Sequence, residues 1–224
     1  TTAAVAPSSS FGAEKLNLAA NNGSNKIQVQ AGKKLILGGA EDGNLVLVDG
    51  AAPSVPVVVT VTGSGSELQL GTAATTNTLA ADITVGDAAT ASILSAAGGT
   101  QTTGSVTVKN QSRLEVASGT SLAATDGVTL ESGSTMQLNG TMTGTKLTAA
   151  GATILVGTDT TEESAAGSLV LGEDSTLTGS SIFLDPSWES TSASEMSYAG
   201  STVDYTLTVG QYSEVSLGTT STAA

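Results

Sequence analysis

The side chains able to do chemistry are few and unevenly placed. Among 224 residues there are 20 Asp plus Glu against 7 Lys plus Arg, one Trp, three Tyr, no His and no Cys. Without His or Cys the chain lacks the usual zinc ligands, a thiol nucleophile and an imidazole base, so most hydrolase and metalloenzyme chemistries fall. Phosphate-backbone binding falls as well, because it needs clustered Lys and Arg. Carboxylates and a handful of aromatics remain.

The carboxylates Asp159, Glu162, Glu163, Glu173, Asp174 and Asp185 are hard oxygen donors at modest separation, the type calcium prefers. Neither a Gly-Gly-x-Gly-x-Asp repeat nor an EF-hand loop accompanies them, so no metal or other cofactor is expected. Lyase-like chemistry on acidic polysaccharide would need a basic catalytic residue beside an acidic cluster. Arg113 is the only Arg, and few acids lie near it in sequence. Five of the six aromatics fall between Ser181 and Tyr212. A loop at 185–203 carrying Asp185, Trp188, Glu189 and Tyr198, followed by Tyr205 and Tyr212, is the candidate interaction surface, because Trp and Tyr give large contact areas at low entropy cost. The competing reading is a brace that packs these rings back on the body of the fold.

Charge is graded along the chain. Lys15, Lys26, Lys33 and Lys34 lie near the start, no Lys or Arg follows Lys146, and ten acids lie beyond it. That gradient suits either a solvated acidic surface or a match between the basic start of one copy and the acidic end of another. Thr-x-Thr pairs, which on a flat face would suit ice binding, occur at Thr60, Thr141, Thr176 and Thr206 but at no common offset, so no ordered threonine ladder is expected.

The elements that position these residues are short strands. Apolar residues, mostly Val, Ile and Leu, alternate with polar ones in brief runs separated by Gly, Ser, Asn and Asp. No apolar run reaches the ~18 residues of a spanning helix, the longest being the Pro-interrupted Val55 to Val61. Thr1 to Ser10 lacks the regions of a signal peptide, and both ends are expected to be cuts in a longer protein. One pattern recurs: Val106, Val108, Leu114, Val116; then Val128, Leu130, Met136, Leu138; then Leu207, Val209, Val215, Leu217. Ile27, Val29, Leu35, Leu37 is another copy, and in each the second pair lies eight residues after the first. Starts at 83, 106, 128, 147 and 169 give intervals of 19 to 23 residues, a solenoid period. A third strand is expected at Leu122, Met142 and Ile182 with Leu184. Three strands and three turns per period make an all-β, parallel β-helix of about nine or ten coils. Asn22-Gly23, Asp42-Gly43, Asp126-Gly127 and Asn139-Gly140 are expected to supply positive φ at corners. The alternative is a sandwich of hairpins, which uses the same turn residues.

The segments Gly104 to Gly119 and Gly127 to Gly140 closely resemble the degenerate repeats in passenger domains of bacterial autotransporters, nearest the adhesin and self-associating branch. The resemblance spans residues 15–218, between an N-terminal segment or cap (1–14) and a C-terminal tail (219–224). It implies a right-handed parallel β-helix carried to the cell surface through an outer-membrane barrel outside this chain, with outward Ser and Thr that some such passengers glycosylate. Protease or esterase passengers need a nucleophile motif and a His, whereas this chain has Gly63, Ser64, Gly65 and Ser66 and no His. The expected function is therefore non-catalytic adhesion or self-association, with another copy on a neighbouring cell, or a host protein or glycan, as partner. A structural stalk or surface-layer module, and a polysaccharide-active β-helix enzyme, are the alternatives.

Overall fold

The computed structural model describes residues 2–4, 9–11, 15–18, 26–38, 46–49, 57–72, 76–79, 81–160, 163–184, 194–198 and 207–217. Among them every regular element is a strand. The strands form three parallel sheets. The first holds Thr2–Ala4, Lys26–Val29, Val57–Val61, Ala81–Val85, Val106–Val108, Val128–Leu130, Leu147–Ala150, Ser175–Thr178 and Leu207–Val209, numbered here as coils 1 to 9. The second sheet takes the next strand of each coil, from Ser9–Phe11 to Glu214–Leu217. The third, of eight strands, runs from Lys15–Leu18 to Glu195–Tyr198. Each strand pairs with its equivalent one coil away, so the chain is a parallel β-helix of nine coils, stacked over roughly 40 Å at the usual strand spacing.

Alternation decides which way each residue points. In Val106–Val108 the two valines are buried and Thr107 faces out. Stacking then builds apolar columns: Ile83, Val106, Val128 and Leu147 on the first sheet, and Leu68, Leu94, Leu114, Met136, Ile154 and Ile182 on the second. The third sheet adds Leu122, Met142 and Leu169, and all these side chains are buried.

The expected phase fails within coil 7. Leu169 is not a coil start; it lies on the third sheet opposite Met142. Ile182 and Leu184 belong to the second sheet, opposite Ile154 and Val156. The cause is an antiparallel hairpin, Thr158–Thr160 with Glu163–Ala165, inserted between the second and third strands of coil 7. It lengthens that coil and displaces every later position. Within the span expected to be a loop, Glu195–Tyr198 is a third-sheet strand paired with Ser168–Leu171.

The corner between the first and second sheets is a tight turn, closed by Ser66, Ser112 and Ser134 N–H groups donating to the Gly63, Lys109 and Glu131 carbonyls. One position of this corner is left-handed, with φ from +56° to +78° at Gly32, Gly65, Gly133, Gly151 and Gly179. The residue just after it, also stacked between coils, is Ser66, Ser92, Ser112, Ser134, Ala152, Ser180 and Ser213. These serines tie coil to coil: Ser66 Oγ donates to Ser92 Oγ at 2.7 Å, and Ser112 and Ser180 Oγ accept from the N–H groups of Ser92 and Ala152 at 3.1 and 3.0 Å. Gly127 has the expected positive φ, +97°. Gly140 does not have a positive φ; a Cβ there would collide with the Ala117 and Thr120 carbonyl oxygens, so close approach is what requires glycine. Asn22-Gly23 and Asp42-Gly43 lie outside the described residues.

Coil 4 has a longer corner held by Asp87, whose Oδ1 accepts from the Ala89 and Thr90 N–H groups, both at 2.8 Å. Thr90 Oγ1 in turn accepts from Gly63 N–H. The Ala89 N–H, then the Thr90 hydroxyl and N–H, hold the exposed Asp87 carboxyl below its ordinary value.

Two outcomes are expected. Leu114→Ala leaves a cavity under a fully buried column and lowers stability by about 2–5 kcal/mol in urea unfolding. Because the folded Asp87 is the stronger acid, its turn is fully stabilising above the unfolded pKa and loses that contribution as pH falls through the lower, folded one. An NMR titration should therefore show the Ala89 and Thr90 amides moving below pH 3.8, the ordinary Asp value, with no inflection above it.

Candidate functional site

Of the expected interaction residues, Asp185, Trp188, Glu189 and Tyr205 lie outside the described residues. Tyr198 ends a third-sheet strand, opposite Leu171. Tyr212 occupies the left-handed corner position of coil 9, in the column of Gly151 and Gly179, at φ +62° and 86% exposed. Its ring stands off the corner and does not brace the fold. Along the chain, Tyr198 lies at the end of a third-sheet strand and Tyr212 at the corner between the first and second sheets. A large side chain at positive φ is an outlier, of the kind that accumulates at functional positions.

Among the described residues no group of three or more His, Cys, Asp or Glu is placed to hold a metal. Glu162 and Asp185 lie outside the described residues. The basic side chains are partly tied within the rod. Lys34 pairs with Glu67 at 2.8 Å, Arg113 with Glu115 at 3.0 Å and Lys109 with Glu131 at 3.5 Å. Exposed pairs of this kind contribute about 0–1 kcal/mol each. They serve to place charge more than to stabilise.

Three outward surfaces emerge that reading along the chain missed. On the first sheet, Thr60, Thr84, Thr107, Thr129, Thr148, Thr176 and Thr208 stand opposite one another in seven consecutive coils. This is an ordered threonine ladder, contrary to the expectation drawn from Thr-x-Thr pairs. Its signal is a single Thr between two inward residues, as in Val106-Thr-Val108 and Val128-Thr-Leu130, and it appears only when coils are aligned. The third sheet carries Thr76, Thr100, Ser121, Thr141 and Ser168 in one outward column and Thr78, Thr102, Ala123 and Thr143 in the next. At its edge, a notch of about 370 Å³ is lined by Thr100, Ser121, Asn139 and Thr120. Thr120 is only 3% exposed, and its hydroxyl has no partner among the described residues.

The second sheet carries a groove of about 480 Å³. Ala96, Ala97, Val116 and Ala117 supply its apolar lining, and Glu67, Gln69, Arg113, Glu115, Gln137 and Asn139 its polar groups. The side chains are held by one another: Ser95 Oγ donates to Glu67 Oε1 at 3.0 Å, and Gln137 Nε2 to Asn139 Oδ1 and the Gly157 carbonyl. Two carboxylates balanced by Lys34 and Arg113 make this patch locally neutral on a chain of net charge -13. All three surfaces offer hydrogen bonding to an extended polar partner. Replacing Tyr212 by Gly should relieve its backbone strain and raise stability by about 1 kcal/mol in thermal unfolding, as at the equivalent glycines.

The chain matches no family model, no curated protein and no solved structure.

Proposed function

We propose that this chain is a non-catalytic adhesion or self-association rod, the passenger of a bacterial cell-surface autotransporter. The observation that carries the reading is the seven-residue threonine ladder, a straight outward row of hydroxyls with no counterpart in the packing of the core. A rigid row of this kind suits a partner that is itself extended and regular. Each hydroxyl contributes little, and the binding strength comes from many contacts made at once and from many copies per cell. The absence of His and Cys supports a role without chemistry, and the resemblance of Gly104 to Gly119 and Gly127 to Gly140 to passenger repeats supports the cell surface as the place. A stalk without binding function is the plainer alternative.

The second-sheet groove favours a second reading, contact with a host glycan. Its apolar lining of alanines and Val116 between amides and balanced charges suits a sugar chain, whose rings have apolar faces and hydroxyl edges.

Display on otherwise non-adherent bacteria separates these readings. Cells carrying the chain are expected to settle several-fold faster than cells carrying the empty display vector, and mixed labelled populations to co-aggregate. Adhesion to host cells without co-aggregation selects the glycan reading; no gain in either leaves the stalk.

A further inference from the structure

The first-sheet face has one outward column within its strands, flanked by a row of residues at each strand end. That middle column is the threonine ladder of coils 3 to 9. Two residues before each threonine, coils 3 to 8 carry Val58, Asp82, Ser105, Gly127, Lys146 and Asp174, of which Gly127 is buried at its corner. Two residues after it they carry Thr62, Gly86, Lys109, Glu131, Ala150 and Thr178, of which Gly86 is buried at its corner.

Resting on the self-association reading, we propose that this face binds the same face of a second copy about a two-fold axis that lies along the strands and crosses the face midway between Thr107 and Thr129. Such an axis sets every column against itself with the coil order inverted, so coil 5 meets coil 6, coil 4 meets coil 7 and coil 3 meets coil 8. In the column after the threonines, Lys109 then faces Glu131, Gly86 faces Ala150 and Thr62 faces Thr178. In the column before, Asp82 faces Lys146 and Ser105 faces Gly127. Symmetry makes each pairing occur twice. Val58 opposite Asp174 is the one pair without complementarity.

Charge selects this register over its neighbours. Moving the axis half a coil, onto Thr107 or onto Thr129, sets Lys109 against Lys109 or Glu131 against Glu131. An axis along the rod sets Lys109 against Ser105, Glu131 against Gly127, Asp82 against Gly86 and Lys146 against Ala150, and no charge meets its opposite. In the proposed register the internal Lys109–Glu131 pair, 3.5 Å apart, becomes one side of a four-charge ring of alternating sign around the axis. The middle column suits its place, because a column that faces itself needs groups that both donate and accept, and a threonine hydroxyl does both.

Six coils, each occupying ~4.8 Å, make the face about 29 Å long, and three rows make it about 20 Å wide. Roughly 600 Å² per copy is below the ~800 Å² of a standard interface, so a single contact is weak and reversible. Weak, salt-sensitive pairing suits an array of copies on opposing surfaces.

Sedimentation equilibrium on the purified chain and on two charge reversals tests the pairing, with circular dichroism to follow the fold. The wild type is expected to associate, less so at high salt. Lys109→Glu alone and Glu131→Lys alone each put four like charges at the axis and should weaken association at least ~10-fold. An equimolar mixture of the two variants should recover it, because a copy with two acids then faces a copy with two bases. Mixing cannot restore a pair inside one chain, so recovery reports only the contact between copies. If the wild type associates and the mixture does not, this register is overturned and the self-association reading stands. A wild type that stays monomeric at high concentration also overturns the register, and co-aggregation of displayed cells then decides whether the broader reading falls with it.

Discussion

Each coil hands its backbone N–H and C=O groups to the coil above it, and every other property of this chain follows from that handover. A parallel ladder held in register leaves no freedom to slide, because a one-residue slip would turn the buried valines and leucines outward. A residue's surroundings are therefore decided by its column more than by its neighbours in sequence. Val106 is buried because Ile83 and Val128 are buried above and below it. The same rule lines up residues that the core does not need, and so regular rows of hydroxyls arise on the outside of the rod.

The coil was readable in the sequence where its turns are tight. Between Val106 and Leu138 the first two strands of a coil are joined by short corners, and the apolar pairs marked both correctly. Two things broke the reading. The hairpin Thr158–Thr160 with Glu163–Ala165 resembles another Gly- and Ser-bounded strand pair, and nothing local in its residues says that it runs antiparallel and stands outside the ladder. The outward columns were hidden for a different reason. Thr is a good strand former anywhere, so one Thr between two valines carries no message until seven coils are stacked. Motifs sought along the chain, such as Thr-x-Thr, look in a direction perpendicular to the one in which the rod is ordered.

The polar interior follows the same logic. Asn77 and Gln101 are fully buried one coil apart, and Asn77 Nδ2 donates to Gln101 Oε1 at 2.8 Å while Gln101 Nε2 donates to the Gly98 carbonyl. Gly38 and Gly71 leave the room these amides fill, since a Cβ at either would collide with them. The corner serines do likewise at the first turn. Polar groups can enter this core because stacking gives each one a donor or acceptor in the next coil, which is the condition for burying them at little cost.

Coil 9 carries a further implication. Val209 and Val215 continue inward columns yet are 47% and 39% exposed, so the described stack ends on a partly uncovered apolar rung. Such a rung is a template: it offers a strand edge and an apolar floor on which another coil can order. Almost all contacts in the rod join residues about twenty to thirty positions apart, whatever the number of coils. Assembly can therefore advance as a front, one rung after another, with a cost of loop closure that stays constant as the rod lengthens. Length in this architecture is a free variable, set by how many rungs are supplied and not by the reach of a single core.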